Sequence, residues 1–193
     1  MALWPLESTL IRHIPDSGQS VFAKGGVETS SRFNNGASGG SSGTLWVSYF
    51  TAIVDTTITK LAMNALANAA VSTTLARIAL FTVASTTDDS VTKVAQTAND
   101  TTIGASAYSL YERVLSTVGG FPSSYSLVAG TRYALGYLHV ATTVPDMSGA
   151  NILAQSTPPA PSRLIDGQTD IAASYAVASL NTHYFGVWLM ARQ

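Results

Sequence analysis

The sequence contains no cysteine. Disulfides, zinc–thiolate sites and thiol catalysis are therefore excluded, and any durability must come from packing or assembly. Charge is scarce too: Asp, Glu, Lys and Arg make up 11% of the 193 residues, against about 25% in ordinary soluble domains. Ten basic and eleven acidic side chains leave a net charge of −1. With no basic run or basic–aromatic stripe, nucleic-acid binding is not expected. Glutamate is confined to Glu7, Glu28 and Glu112, which leaves little material for the paired carboxylates of a glycosidase. No apolar run approaches the roughly 20 residues that cross a bilayer, so membrane insertion is not expected. Met1–Leu10 lacks a basic n-region and a long apolar core, so it does not read as a secretory signal, and synthesis and folding in a cytoplasm are expected.

Serine and threonine fill the space that charge leaves, with 23 of each. Their hydroxyls hydrate a strand face without long side chains, and β-branched Thr favours pleated backbone. Hydrophobic residues reach 46%, with mean hydropathy +0.22, enough for a core. A surface so poor in charge repels its own copies weakly, which suits a subunit held in an assembly.

Composition divides the chain in three. Residues 1–33 carry apolar residues in sparse pairs, among them Trp4, Leu6, Ile11, Ile14 and Phe22. Pro5 and Pro15 interrupt any helix there. The expectation is an extended N-terminal arm that either anchors on a neighbour through those five residues or folds back as an added strand. Residues 34–43 are Asn, Gly, Ala and Ser alone, a composition that predicts a flexible hinge. Residues 44–193 form the main domain.

In that domain the period becomes two. Leu45, Val47 and Tyr49 share one strand face, opposite Trp46, Ser48 and Phe50. Leu75–Val83 is nearly all apolar, as in a central strand covered on both sides. Val91–Gln96 alternates, and Arg132–Ala141 places Tyr133, Leu135, Tyr137 and His139 on one face. Thr59–Ala70 also fits helical spacing, but its β-branched start favours a strand, and Leu110–Leu115 could pass as a helical turn. Further strands are expected over Ala172–Leu180 and Tyr184–Met190, and extended polyproline-like chain over Thr157–Pro161. About eight to ten short strands with turns at roughly ten-residue intervals predict an all-β, antiparallel, jelly-roll-like β-sandwich.

Residues that could carry chemistry are few. His13, His139 and His183 are far apart in sequence and none adjoins a carboxylate, so no metal site is expected. Gly39–Gly43 matches G-x-S-x-G, but a nucleophile elbow belongs on a strand-to-helix turn and not in a Gly/Ser run. Asp88–Asp89 and Asn99–Asp100 could offer oxygens to Ca²⁺, although acidic turns commonly hold no metal. Asn99-Asp100-Thr101 is a glycosylation sequon. No cofactor and no catalytic residue is expected. Tyr108, Tyr111, Phe121, Tyr125, Tyr133 and Tyr137 cluster mid-chain, where rings could stack on sugar or meet a partner, or simply cap the sandwich.

Taken in order, Thr44-Leu45-Trp46-Val47-Ser48-Tyr49-Phe50-Thr51-Ala52, Arg77–Ala84, Ala98–Thr102 and Ala129–Leu135 resemble the jelly-roll-type β-sandwich domains of tailed-bacteriophage virion proteins, above all minor tail, receptor-binding and fibre-like proteins. The resemblance covers residues 44–192. It implies a non-enzymatic virion protein made in the host cytoplasm: a homotrimer docked on other virion proteins by its N-terminal segment, with a sandwich that meets the host surface. The sequence has no sustained heptads for a stalk, which favours a short knob or a decoration subunit. Alternatives are a carbohydrate-binding module, a capsid decoration protein, and a hydrolase of surface polysaccharide, the last opposed by the scarcity of Glu.

Overall fold

In the computed structural model, residues 10–15, 21–24, 26–29, 34–85, 87–151 and 159–193 are described. In chain order the strands are β1 (Leu10–Pro15), β2 (Val21–Lys24), β3 (Gly26–Glu28), β4 (Asn34–Gly39), β5 (Leu45–Thr51), β6 (Thr56–Ile58), β7 (Lys60–Ala65), β8 (Leu75–Val83) and β9 (Val91–Gln96). They continue as β10 (Ser109–Val114), β11 (Tyr125–Leu127), β12 (Arg132–Val140), β13 (Asp146–Asn151), β14 (Ser162–Ile165), β15 (Ser174–Tyr175), β16 (Asn181–Thr182), β17 (Phe185–Val187) and β18 (Leu189–Arg192). Among the described residues the one helical element is a single 3₁₀ turn, Val177–Ser179. The fold is all-β and antiparallel throughout, as the alternation predicts.

The strands form two packed sheets and a ribbon. The larger sheet runs β15-β9-β8-β12-β5-β1-β2, with β14 also on β5 and β16 on β14. The smaller runs β17-β13-β7-β18-β3, with β10 on β7 and β4 on β13; β6 and β11 pair as the ribbon. Trp46, Phe50, Ile78, Leu80, Leu135 and Tyr137 from the larger sheet meet Leu61, Met63, Met147, Val187 and Leu189 from the smaller in the main core. This is a β-sandwich.

Alternation puts the neighbouring residues on the opposite face of the larger sheet, and that face is buried as well. Leu45, Val47, Tyr49, Ala79, Phe81 and Leu138 form a second core with Ile171, Tyr175 and Leu180. Past β14, at one edge of the sheet, the chain crosses this face to β15 at the other edge and returns to β16. The crossing chain is a third layer, tied to the sheet by an ion pair between Arg77 and Asp170 (2.5 Å) and by Gln168 N–H donating to Gly43 O (2.8 Å). Coverage on both faces explains the near-continuous apolar run of β8.

Several expectations need amending. Ala172–Leu180 is not one strand: Ser174–Tyr175 alone pairs, with β9, and the apolar residues of the segment serve as single anchors into the second core. The strand favoured for the first half of Thr59–Ala70 is present as β7, and Leu110–Leu115, which could pass as a helical turn, lies in β10 and its flank, paired to β7 over Lys60–Ala65. Within the run expected to be a hinge, Asn34–Gly39 form β4, paired with β13 at Gly39↔Asp146 and Ser38↔Met147. A ladder needs main-chain groups only, so a run without large side chains can still pair. Residues 152–158, including Thr157 and Pro158 of the polyproline-like stretch, lie outside the described residues.

Close backbone approach explains one glycine. A Cβ on Gly149 would lie 2.3 Å from Gly186 O and 2.6 Å from the Phe185 ring, so the β13–β17 pairing admits no side chain at that point.

Candidate functional site

Of the aromatic residues expected at a contact surface, three are in the core. Tyr133 stacks on Phe50 at 5.8 Å, and its hydroxyl accepts the Val128 amide at 3.0 Å. Tyr111 is buried, its hydroxyl donating to Ser106 O at 3.0 Å. Tyr137 is buried against His139. Buried rings cannot stack on an incoming sugar, so these three are corrected to core residues. Phe121 and Tyr125 are half-buried; Lys93 Nζ sits 5.1 Å over the Phe121 ring, and Tyr125 packs edge-on to Tyr133. Tyr108 is 77% exposed, with φ at 53°. Of the arm residues, Ile11, Ile14 and Phe22 lie in β1 and β2, whereas Trp4 and Leu6 fall outside the described residues.

His139 is buried at 3% exposure. Its Nε2 is 2.8 Å from Thr73 Oγ1, and its Nδ1 bonds the Tyr137 hydroxyl. Burial holds its pKa at about 4, down from 6.5, and burial pushes Tyr137 well above the usual phenol range. Both groups are therefore neutral, so one ring nitrogen donates and the other accepts, and Tyr137, His139 and Thr73 form a packed polar link. The neighbouring cavity, lined by Ser41, Trp46, Tyr137 and His139 among others, encloses only about 10 Å³, roughly one water.

Ser41 and Ser42 of the G-x-S-x-G match sit in a turn. Ser42 Oγ accepts the Ala141 amide at 3.1 Å, and Ser41 O accepts the Thr44 amide at 3.1 Å. His183, beside the last strands, has Nδ1 accepting the Phe185 amide at 3.0 Å. Its ring stacks on exposed Tyr184 at 4.5 Å.

The carboxylates considered for Ca²⁺ are engaged by protein donors. Asp88 Oδ1 accepts the Ser90 amide at 2.9 Å. Asp100 bonds Arg113 and accepts from the Thr102 amide at 2.8 Å. Burial alone would raise the Asp100 carboxyl, but the bonds from Thr102 and Arg113 outweigh it and hold the pKa below the usual range. Asp89 is fully buried, paired with Arg132 and Arg163 at 2.5 Å each, and accepts the Ala160 amide at 3.0 Å. The Tyr49 hydroxyl donates to Asp89 O at 2.9 Å, and Arg132 lies over the Tyr49 ring at 4.3 Å. Among the described residues no three metal-liganding side chains gather. The sequon amide is also engaged: Asn99 Nδ2 donates to Thr74 O at 3.1 Å, and Oδ1 accepts the Ala76 amide at 3.0 Å.

Sheet edges form part of the surface. The N-terminal strands occupy the outer positions: β2 ends the larger sheet, β3 flanks β18, and β4 flanks β13. Thr29 continues this seam, its Oγ1 donating to Val187 O at 2.8 Å and accepting the Leu189 amide at 2.9 Å. Across the smaller sheet, β10 is the edge opposite β3. Sequence reasoning did not place β10 beside β7 at a border of the sheet, because strand order is a property of topology.

No protein-family model matches this sequence, and no curated protein matches it.

Proposed function

We propose that this chain is a non-enzymatic structural subunit of a tailed-bacteriophage virion, tail-associated, which assembles with its own copies and with neighbouring virion proteins and presents the sandwich outward. The observation that carries the reading is the placement of the N-terminal strands on the edges of both sheets. A strand that completes the edge of its own sandwich makes the same main-chain bonds on the identical edge of a neighbour, which is the low-cost route to strand exchange. The two expectations for the arm, docking on a partner or folding back, thus become one pairing made in cis or in trans. The engagement of the described carboxylates by protein donors is in keeping with a scaffold, as is a surface of hydroxyls in place of charges.

The test is the mass of the purified chain in solution, by light scattering across a hundredfold concentration range. A discrete homo-oligomer is expected, a trimer being what the family resemblance implies. A monomer throughout would contradict self-assembly.

A further inference from the structure

A groove of about 450 Å³ opens where β5 leads into β6 and β11 leads into β12. Small-molecule sites enclose about 300–1,000 Å³, so it is large enough for a ligand. Alternation divides the β6–β11 ribbon that forms it. Ile58 and Leu127 turn into the main core, whereas Thr57 and Ser126, paired across the ribbon, face solvent. Main-chain bonds fix the two loops beside it. Ala52 N–H donates to Thr131 O at 3.0 Å, Gly130 N–H to Ala52 O at 2.6 Å, and Thr131 N–H to Val128 O at 3.1 Å. These walls are set before anything binds, which lowers the ordering cost of binding.

The polar groups that line the groove are incompletely used by the protein. Asp55 Oδ1 accepts the Ala129 amide at 2.8 Å, which orients the carboxylate, and Asp55 Oδ2 has no protein partner among the described residues. Thr57 Oγ1 and Ser126 Oγ share one hydrogen bond of 3.1 Å. One hydroxyl proton serves that bond, so the other is left to donate outward, and both oxygens keep acceptor capacity. Gln193 Nε2 donates to Thr56 Oγ1 at 3.3 Å, which leaves the Gln193 side-chain carbonyl as a further acceptor. Leu127 and Val128 complete the lining, with Val128 54% exposed.

We infer that this groove binds a neutral saccharide. No lysine, arginine or histidine is among its described lining residues, so an anionic ligand would meet the Asp55 charge with nothing to offset it. No aromatic ring lines it either, so a flat base or ring finds no stacking surface. An organic cation would satisfy Asp55 and leave the hydroxyls and the carboxamide unmatched. A sugar matches all of them. Its hydroxyls donate to Asp55 Oδ2 and to the Gln193 carbonyl, the former bond being strengthened by charge. They also accept the free proton of the Thr57–Ser126 pair, and the C–H face of the ring packs on Val128. A single carboxylate is not the pair that glycoside hydrolysis employs, so the inference is one of binding. It needs no second copy, and so stands or falls apart from the assembly proposed above.

The test uses the ¹⁵N-labelled 193-residue chain, titrated separately with glucose, galactose, mannose and N-acetylglucosamine, and with tetramethylammonium and inorganic phosphate as contrasts. At least one sugar should shift the amide signals of residues 55–57 and 126–129 saturably, and neither contrast should. Asp55→Asn keeps an oxygen for the Ala129 amide and removes the charge, so it should weaken that sugar by about tenfold or more. Thr57→Val removes a hydroxyl from an exposed strand position and should weaken it as well, with an unchanged melting temperature. The inference is overturned if none of the four sugars shifts these amides, if the shifts centre elsewhere on the fold, or if both variants bind as wild type does. Tetramethylammonium or phosphate shifting the same amides where the sugars do not would overturn the ligand class.

Discussion

Asp89 and Arg163 form a fully buried ion pair, Oδ2 to Nε at 2.5 Å, between groups 74 residues apart in the chain. The other carboxylate oxygen holds Arg132, and Arg163 Nη1 goes on to Leu180 O at 3.0 Å. One carboxylate thus ties the β8–β9 turn to β12, to β14 and to the end of the crossing chain. Removing one partner of a buried pair leaves an uncompensated charge, which costs about 3–5 kcal/mol. Asp89→Ala should lose that amount in urea unfolding, and a loss below about 1 kcal/mol would show that the network is incidental.

Acid should destabilise the fold through His139. Its pKa is about 4 in the folded chain against 6.5 for a free imidazole. Between those values the unfolded chain binds the extra proton, so stability falls as pH drops from about 6.5 toward 4 and is fully present above that window. The lowered Asp100 carboxyl works in the same direction at more acid pH. His139→Gln should flatten the dependence of the urea midpoint between pH 7 and pH 5. An unchanged slope would mean that another group carries it.

Gly149→Ala should destabilise by about 1–3 kcal/mol, the usual cost of forcing atoms into a packed site. The obstacle is main chain, Gly186 O, so β13 and β17 must separate. A thermal melt within a degree of wild type would show that the pairing yields more easily than its geometry implies.

Tyr108→Gly removes an exposed ring and places at φ 53° the residue that adopts it freely. Relief of backbone strain opposes the greater unfolded-state freedom of glycine, so stability should stay within about 1 kcal/mol. A larger loss in chemical unfolding would show that the ring packs in solution.

The faces of β5, β8 and β12 were legible in sequence because each strand is long and its alternation is read against two cores. The crossing chain was not. Ile171, Tyr175 and Leu180 are single anchors separated by Ala, Ser and Val, and nothing local distinguishes them from a strand. Strand β4 was hidden because its pairing uses main chain that Asn, Gly and Ser do not advertise. Tyr111, Tyr133 and Tyr137 looked available because tyrosines clustered in a Ser/Thr-rich setting read as surface. Their hydroxyls instead meet Ser106, Val128 and His139, five, five and two residues away in the chain. Arg132 and Arg163 lie 43 and 74 residues from Asp89, so no spacing signals the buried network.

The proposed self-assembly is tested by the mass of the 193-residue chain under light scattering, from low to high micromolar concentration. A discrete integer multiple of the 20.1 kDa chain is expected. A single species of 20.1 kDa at every concentration would contradict it.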